Sequence, residues 1–143
     1  DINLPEPLFS WLVQSAGLSG GDANSRFSNA NNEIRQQVIT RKQQHDLFEK
    51  VYTFYESEVI RISNSASNIR DYGRVDWSTT DQKIKDIFVD LRYRGDYTVS
   101  HREDVQQYLV DNDLDGLRNA ISDRNIWRNV PTDRFQRRVD YLR

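Results

Sequence analysis

The segment Asp90-Leu91-Arg92-Tyr93-Arg94-Gly95-Asp96-Tyr97-Thr98 is dense in groups that recognise sugars: two Tyr, two Arg and Asp, with a Gly that turns the chain. Placed at a helix end, it presents Tyr93, Arg94 and Asp96 around an exposed corner. The same residues also have a purely structural reading, in which Tyr97 packs and Arg92 and Asp90 form surface ion pairs. Residue types alone leave both readings open.

The remaining reactive groups point to less. Glycoside hydrolysis needs one protonated carboxyl as general acid and a second group to stabilise the cation or position water. With 22 Asp and Glu in the chain, many pairs are conceivable, and the spacing of Glu33, Asp46, Glu56 and Glu58 singles out none. Glu56 and Glu58, two apart on a helix, face different directions. His45 and His101 are far apart in sequence. His45 follows polar Gln43 and Gln44 and reads as a solvated surface residue rather than a metal ligand. Asp111, Asn112, Asp113 and Asp115 with Gly116 have part of a calcium loop's spacing. The twelfth position is Ser122, where a bidentate Glu belongs. The run reads better as a helix start with acids at the positive end of the dipole. Gly17, Gly20 and Gly21 are followed by no Lys-Ser or Lys-Thr and so form no phosphate loop. No metal and no cofactor is expected.

The elements that must hold these residues read as helices. Pro5 and Pro7 open a segment with Leu8, Phe9, Leu12 and Val13 at helical spacing, closed by Gly17 in a left-handed cap. A weak helix with Ala23, Phe27 and Ala30 on one face fits residues 19–32, and a short helical turn follows over 33–38. Thr40 and Gln43 form a capping box. From there Leu47, Phe48, Val51, Tyr52, Phe54, Tyr55, Val59 and Ile62 sustain the longest apolar stripe, ending in the Ser63–Ser67 cluster. A short helical piece precedes Gly73. Thr79 and Gln82 suggest a second capping box before Ile84, Ile87, Phe88 and Leu91, and Gly95 ends that helix. Val105, Tyr108 and Leu109 mark another. Asp113 caps a helix bearing Leu114, Leu117 and Ile121, and Asp123 caps a turn containing Trp127. Pro131 and Thr132 introduce a last helix with Phe135, Val139 and Leu142. No segment alternates with period two, so no sheet is predicted.

Bulk properties narrow the class. Hydrophobic residues make up only 36%, but 3 Trp, 7 Tyr and 6 Phe allow a core built on aromatics. Twenty basic residues against 22 acidic ones argue against a general nucleic-acid binder. No apolar run is long enough to span a bilayer, and the first residues carry no secretory signal pattern. Cys is absent, which excludes disulfides and thiolate chemistry. Met is absent too, and the chain reads as a processed piece of something longer. The expected architecture is all-α, a single helical domain over residues 1–143. Short amino-terminal helices fill 1–38, and a lobe with a long amphipathic helix and a buried central helix fills 39–143.

Three stretches carry a resemblance to the helical lobe of phage-type lysozymes, the family that includes the T-even phage enzyme, pesticin and the muramidase domains of bacterial effectors. Val38-Ile39-Thr40 leading to Leu47-Phe48 resembles the start of the helix that joins the two lobes. Residues 87–98 resemble the buried central helix and its cleft-facing turn. Trp127, Val130-Pro131, Arg134, Arg137 and Arg138 are similar to the family's ending. The resemblance runs from about Leu18 to Arg143.

The resemblance implies a peptidoglycan hydrolase of the muramidase class. The chain would be its glycan-binding lobe, part of an antibacterial toxin or effector that is secreted or delivered to the periplasm. It implies that Tyr93, Arg94, Asp96 and Tyr97 line the substrate cleft and that Trp127 and Arg134 support or flank it. The family's acid is a Glu in an amino-terminal helix, followed by Asp, Thr and a Gly-rich turn. Nothing after Glu6 fits that pattern, so the resemblance assigns no catalytic residue to this chain and places the acid before residue 1. Alone, the chain is expected to be inactive. Implied partners are peptidoglycan glycan strands, the missing amino-terminal lobe and an immunity protein; nucleic acid and membrane insertion are not implied. The alternative is a non-catalytic peptidoglycan-binding or protein-interaction module that reuses the fold.

Overall fold

The computed structural model describes residues 3–143, and every regular element among them is an α-helix. In chain order these are α1 (Leu8–Ser15), α2 (Gly20–Ser28), α3 (Asn32–Arg35), α4 (Arg41–Ser63), α5 (Ala66–Tyr72), α6 (Gln82–Tyr93), α7 (Val99–Val110), α8 (Leu114–Ser122) and α9 (Thr132–Leu142). No helix among the described residues is long and apolar enough to cross a membrane. The chain divides into two compact units, Asp1–Val51 and Tyr52–Arg143, and the division falls inside α4.

The first unit holds α1 to α3 and the start of α4. Gly17 takes the expected left-handed conformation, φ 85°. Arg26 of α2 ties back to α1, donating to Ser15 Oγ at 3.2 Å and Gln14 Oε1 at 3.1 Å, with its guanidinium 5.4 Å from the Trp11 ring centroid. Asn31 caps α3 by accepting from the Ile34 N–H; α3 stops at Arg35, short of the expected Val38. The Thr40–Gln43 capping box is complete. Gln43 N–H donates to Thr40 Oγ1 at 3.1 Å, and Thr40 N–H donates to Gln43 Oε1 at 2.8 Å. Among the large hydrophobics of this unit, Phe9, Leu12, Val13, Phe27 and Val38 are exposed, whereas the small Ala30 is buried.

The second unit holds the core. Ile84, Ile87, Phe88 and Leu91 recur at i, i+3, i+4 and i+7, and all are buried, as is Val89 on the neighbouring face. So wide an apolar surface makes α6 the central helix, packed by both α8 and α9. Leu117 and Ile121 of α8, Val105 and Leu109 of α7, and Val139 and Leu142 of α9 complete the core with Trp127 and Val59. Each fully enclosed side chain contributes roughly 1.5–3 kcal/mol. The Tyr52–Ser63 part of α4 runs beside α6 in the same direction, since Tyr52 reaches Asp86 and Glu58 reaches Arg92.

Two helix ends set the geometry of everything after them. At the end of α6, Gly95 (φ 77°) reverses the chain, with Asp96 N–H bonded to Leu91 O at 2.8 Å and Gly95 N–H to Arg92 O at 3.2 Å. This is a Schellman turn. The end of α7 repeats it with Asn112 (φ 54°) in the glycine position, Asp113 N–H bonding Tyr108 O at 2.9 Å. Asn112 then clasps the start of α6. Its Oδ1 accepts from Asp81 N–H at 2.7 Å, and its Nδ2 donates to Thr79 O at 3.3 Å. Asp113 caps α8 through the Gly116 N–H at 2.8 Å, as the helix-start reading of the acidic run expects. The second capping box does not form. Asp81 is the cap of α6, accepting from Lys83 N–H at 2.8 Å, and Thr79 Oγ1 instead donates to Asp76 O.

Candidate functional site

The turn after α6 sorts the sequence-predicted residues into two groups. Tyr93 and Arg94, before Gly95, are exposed. Arg94 makes no ion pair among the described residues. Tyr93 sets its ring edge-to-face against Tyr55, centroids 5.3 Å apart. After Gly95 the chain re-enters the core. Tyr97 is buried, edge-to-face with Phe88, and its hydroxyl lies 2.8 Å from Ser63 Oγ while donating to Gln106 Oε1. Burial pushes its pKa up to about 12, outweighing the Ser63 hydroxyl and the nearby Arg102 guanidinium. Tyr97 is therefore a buried anchor beneath the turn rather than a residue lining its surface. Thr98 caps α7 by accepting from His101 N–H at 3.2 Å.

Asp96 sits between these groups, half-buried, and it is held from two sides. Its carboxylate accepts from Arg138 Nη2 at 2.7 Å. Its carbonyl accepts a hydrogen bond from His101 Nδ1 at 2.7 Å, which fixes the proton on that nitrogen. The His101 ring lies over Trp127 at 4.6 Å. Trp127 is enclosed, with Nε1 donating to Ala120 O at 2.9 Å. Arg138 also donates from Nε to Asp90 at 2.6 Å, and Asp90 faces Arg134 at 3.5 Å. Two carboxylates thus face two guanidiniums, one of them the buried Arg138. Arg138 Nη1 is buried with no acceptor.

The structure thus brings Asp96, Trp127 and Arg134 together around Arg138, with Tyr93 and Arg94 on the surface just before Gly95 and Tyr97 below. Arg138 and His101 were missed as site residues. For Arg138 a signal was present. Phe135, Arg138, Val139 and Leu142 follow i, i+3, i+4 and i+7, so Arg138 occupies a core position of the α9 stripe. Its residue type hid this.

Two further carboxylates are fully engaged. Asp86 accepts from the Tyr52 hydroxyl at 2.6 Å, from Gln82 Nε2 at 2.8 Å and from the Tyr141 hydroxyl. Burial, then this carboxylate, raises both phenols, Tyr141 to about 12. Glu58 accepts two bonds from Arg61, at 2.9 and 3.0 Å, and one from Arg92 at 3.0 Å. These guanidiniums hold its pKa down at about 2. Asp76 is also lowered, by Ser78. A glycosidase acid must have its pKa raised, so Glu58 and Asp76 are unsuited to that role. In the first unit, His45 is exposed as expected, yet its Nδ1 lies 3.9 Å from Asp46 and 3.8 Å from Glu49. Their ligand atoms lie within 4.8 Å of one another, close enough to share a cation, although Asp46 already pairs with Lys42 at 2.8 Å and is lowered by it.

Comparison with curated proteins finds no match to this chain, and comparison with solved structures finds none. Residues 1–139 match the family described as a domain of unknown function, DUF8812, and the chain belongs to that family.

Proposed function

We propose that this chain is the glycan-holding lobe of a peptidoglycan hydrolase of the muramidase class, acting against the bacterial wall as part of an antibacterial toxin or effector. The observation that carries the reading is the turn at the end of α6. A buried helix ends in a rigid Schellman turn that leaves Tyr93 and Arg94 exposed, while Asp96 is locked by Arg138 and His101. A fixed corner with an aromatic ring, a free cation and an oriented carboxylate is what sugar recognition requires, because ordering costs are met on folding rather than on binding. In this reading the general acid belongs to a separate lobe.

Cosedimentation with insoluble peptidoglycan tests it. The chain should pellet with the wall material, and Tyr93→Ala with Arg94→Ala should release it. Retention in the supernatant by the parent chain would sink the reading. Turbidity of wall suspensions checks the placement of the acid: loss of turbidity by this chain alone, abolished by Glu33→Gln, would contradict it.

A further inference from the structure

A row of three rings crosses the surface from α4 to the end of α6. Phe54 packs edge-to-face on Tyr55 with centroids 5.1 Å apart and planes at 85°, and Tyr55 packs edge-to-face on Tyr93 at 5.3 Å and 88°. The outer rings are the exposed ones, Phe54 at 59% and Tyr93 at 56%, with Tyr55 half-buried between them. Both outer rings stand perpendicular to the same middle ring, so neither covers the other. Their centroids are separated by at most about 10 Å, a distance neighbouring sugars of one strand can span. Exposed aromatics this close together form a patch rather than scattered surface residues.

Charged groups flank the row. Glu58, one turn along α4 from Phe54, pins Arg61 through two bonds and Arg92 through one. Arg61 is 66% exposed and Arg92 34%, so these guanidiniums are held in place while part of each still meets solvent. Arg94 follows Tyr93 in the chain and adds another cation. Three arginines against one glutamate leave the area positive, which complements an anionic polymer.

We propose that Phe54, Tyr55 and Tyr93, with the Arg92–Glu58–Arg61 cluster, form a platform for a strand of amino sugars bearing carboxylates. The rings stack on the apolar faces of the sugars. The arginines donate to acetamido and carboxylate oxygens, with Glu58 as the positioning residue that holds both. This extends the site onto α4. It rests on the reading of Tyr93 given above, but the residues it adds can be tested separately.

The test is titration of the full chain with chitotetraose, followed by NMR, and with soluble anionic glycan strands stripped of their peptides. Circular dichroism checks the fold of every variant. Phe54→Ala should weaken both ligands about tenfold, the scale of one aromatic contact. Phe54→Tyr should restore binding and Phe54→Leu should not, which separates a stacking ring from mere bulk. Arg61→Gln together with Arg92→Gln should weaken the anionic strands more than chitotetraose. If Tyr93→Ala weakens binding while Phe54→Ala does not, the platform on α4 is refuted and the glycan-holding corner survives. If neither parent nor variants bind sugar, or if free stem peptide binds instead, both are refuted.

Discussion

Arg138 lies at a core position of α9 yet carries a charge, and it is 4% exposed. Its stability depends on Asp90 and Asp96, whose side chains are 35% and 23% exposed. Removing one partner of a buried ion pair costs roughly 3–5 kcal/mol because the other charge is left without compensation. Water reaches both aspartates, so each single Asp→Ala change should cost about 2 kcal/mol and the double change about 4 kcal/mol. Arg138→Met is different. The two carboxylates it leaves behind can hydrate, Asp90 still faces Arg134, and a flexible apolar chain fills the site against Trp127, for a cost of about 1 kcal/mol. Urea unfolding resolves these cases. With a slope of about 2 kcal/mol/M, the double aspartate variant should lose about 2 M in midpoint and Arg138→Met about 0.5 M. If Arg138→Met destabilises as much as the double variant, the arginine stabilises by its own packing. The view of it as a buried cation held by two acids would then be wrong.

Three other outcomes follow from particular contacts. Asn112→Ala should cost about 2 kcal/mol in chemical unfolding, from left-handed strain and the lost bonds to Asp81 and Thr79; Asn112→Gly, which keeps the backbone, should cost about half that. Gly116→Ala should destabilise by about 1–3 kcal/mol despite the better helix propensity of Ala, because its Cβ would collide with the Tyr108 ring and the Asp113 carboxylate; an unchanged or raised melting temperature would contradict this. Glu58 has a folded-state pKa of about 2 against an ordinary 4.5, so its contribution is fully present above pH 4.5 and is lost as pH falls toward 2. Acid unfolding of Glu58→Gln should therefore be less steep across that window than that of the parent chain, and identical slopes would rule the linkage out.

The helices were legible where one apolar stripe faces one core. Ile84, Ile87, Phe88 and Leu91 in α6, and Leu117 and Ile121 in α8, are buried as their periodicity predicts. Caps were legible when the capping side chain had no rival. Thr40 and Asp113 act as expected, whereas Asp81, the residue directly before Gln82, caps α6 in place of Thr79, whose hydroxyl is engaged by Asp76 O. The candidate site was harder to read, for a geometric reason. Tyr93 and Tyr97 are the same residue type four positions apart, and on a continuous helix they would share a face. The Gly95 turn lies between them and sends one outward and the other into the core. Periodicity does not carry across such a turn. Nor does residue type reveal an inward-facing arginine whose partners, Asp90 and Asp96, lie more than forty residues away. In the first unit the patterned apolar residues Phe9, Leu12 and Val13 form a helix as expected but stay exposed.

The most direct test of the glycan-holding reading is chemical-shift mapping of the full chain with soluble peptidoglycan fragments. Perturbations should centre on Tyr93, Arg94 and Asp96 and fall away along α8, whose Leu117, Ala120 and Ile121 are buried in the core. Perturbations confined to α1 and α2, or none at millimolar ligand, would contradict the assignment of this corner as the sugar site.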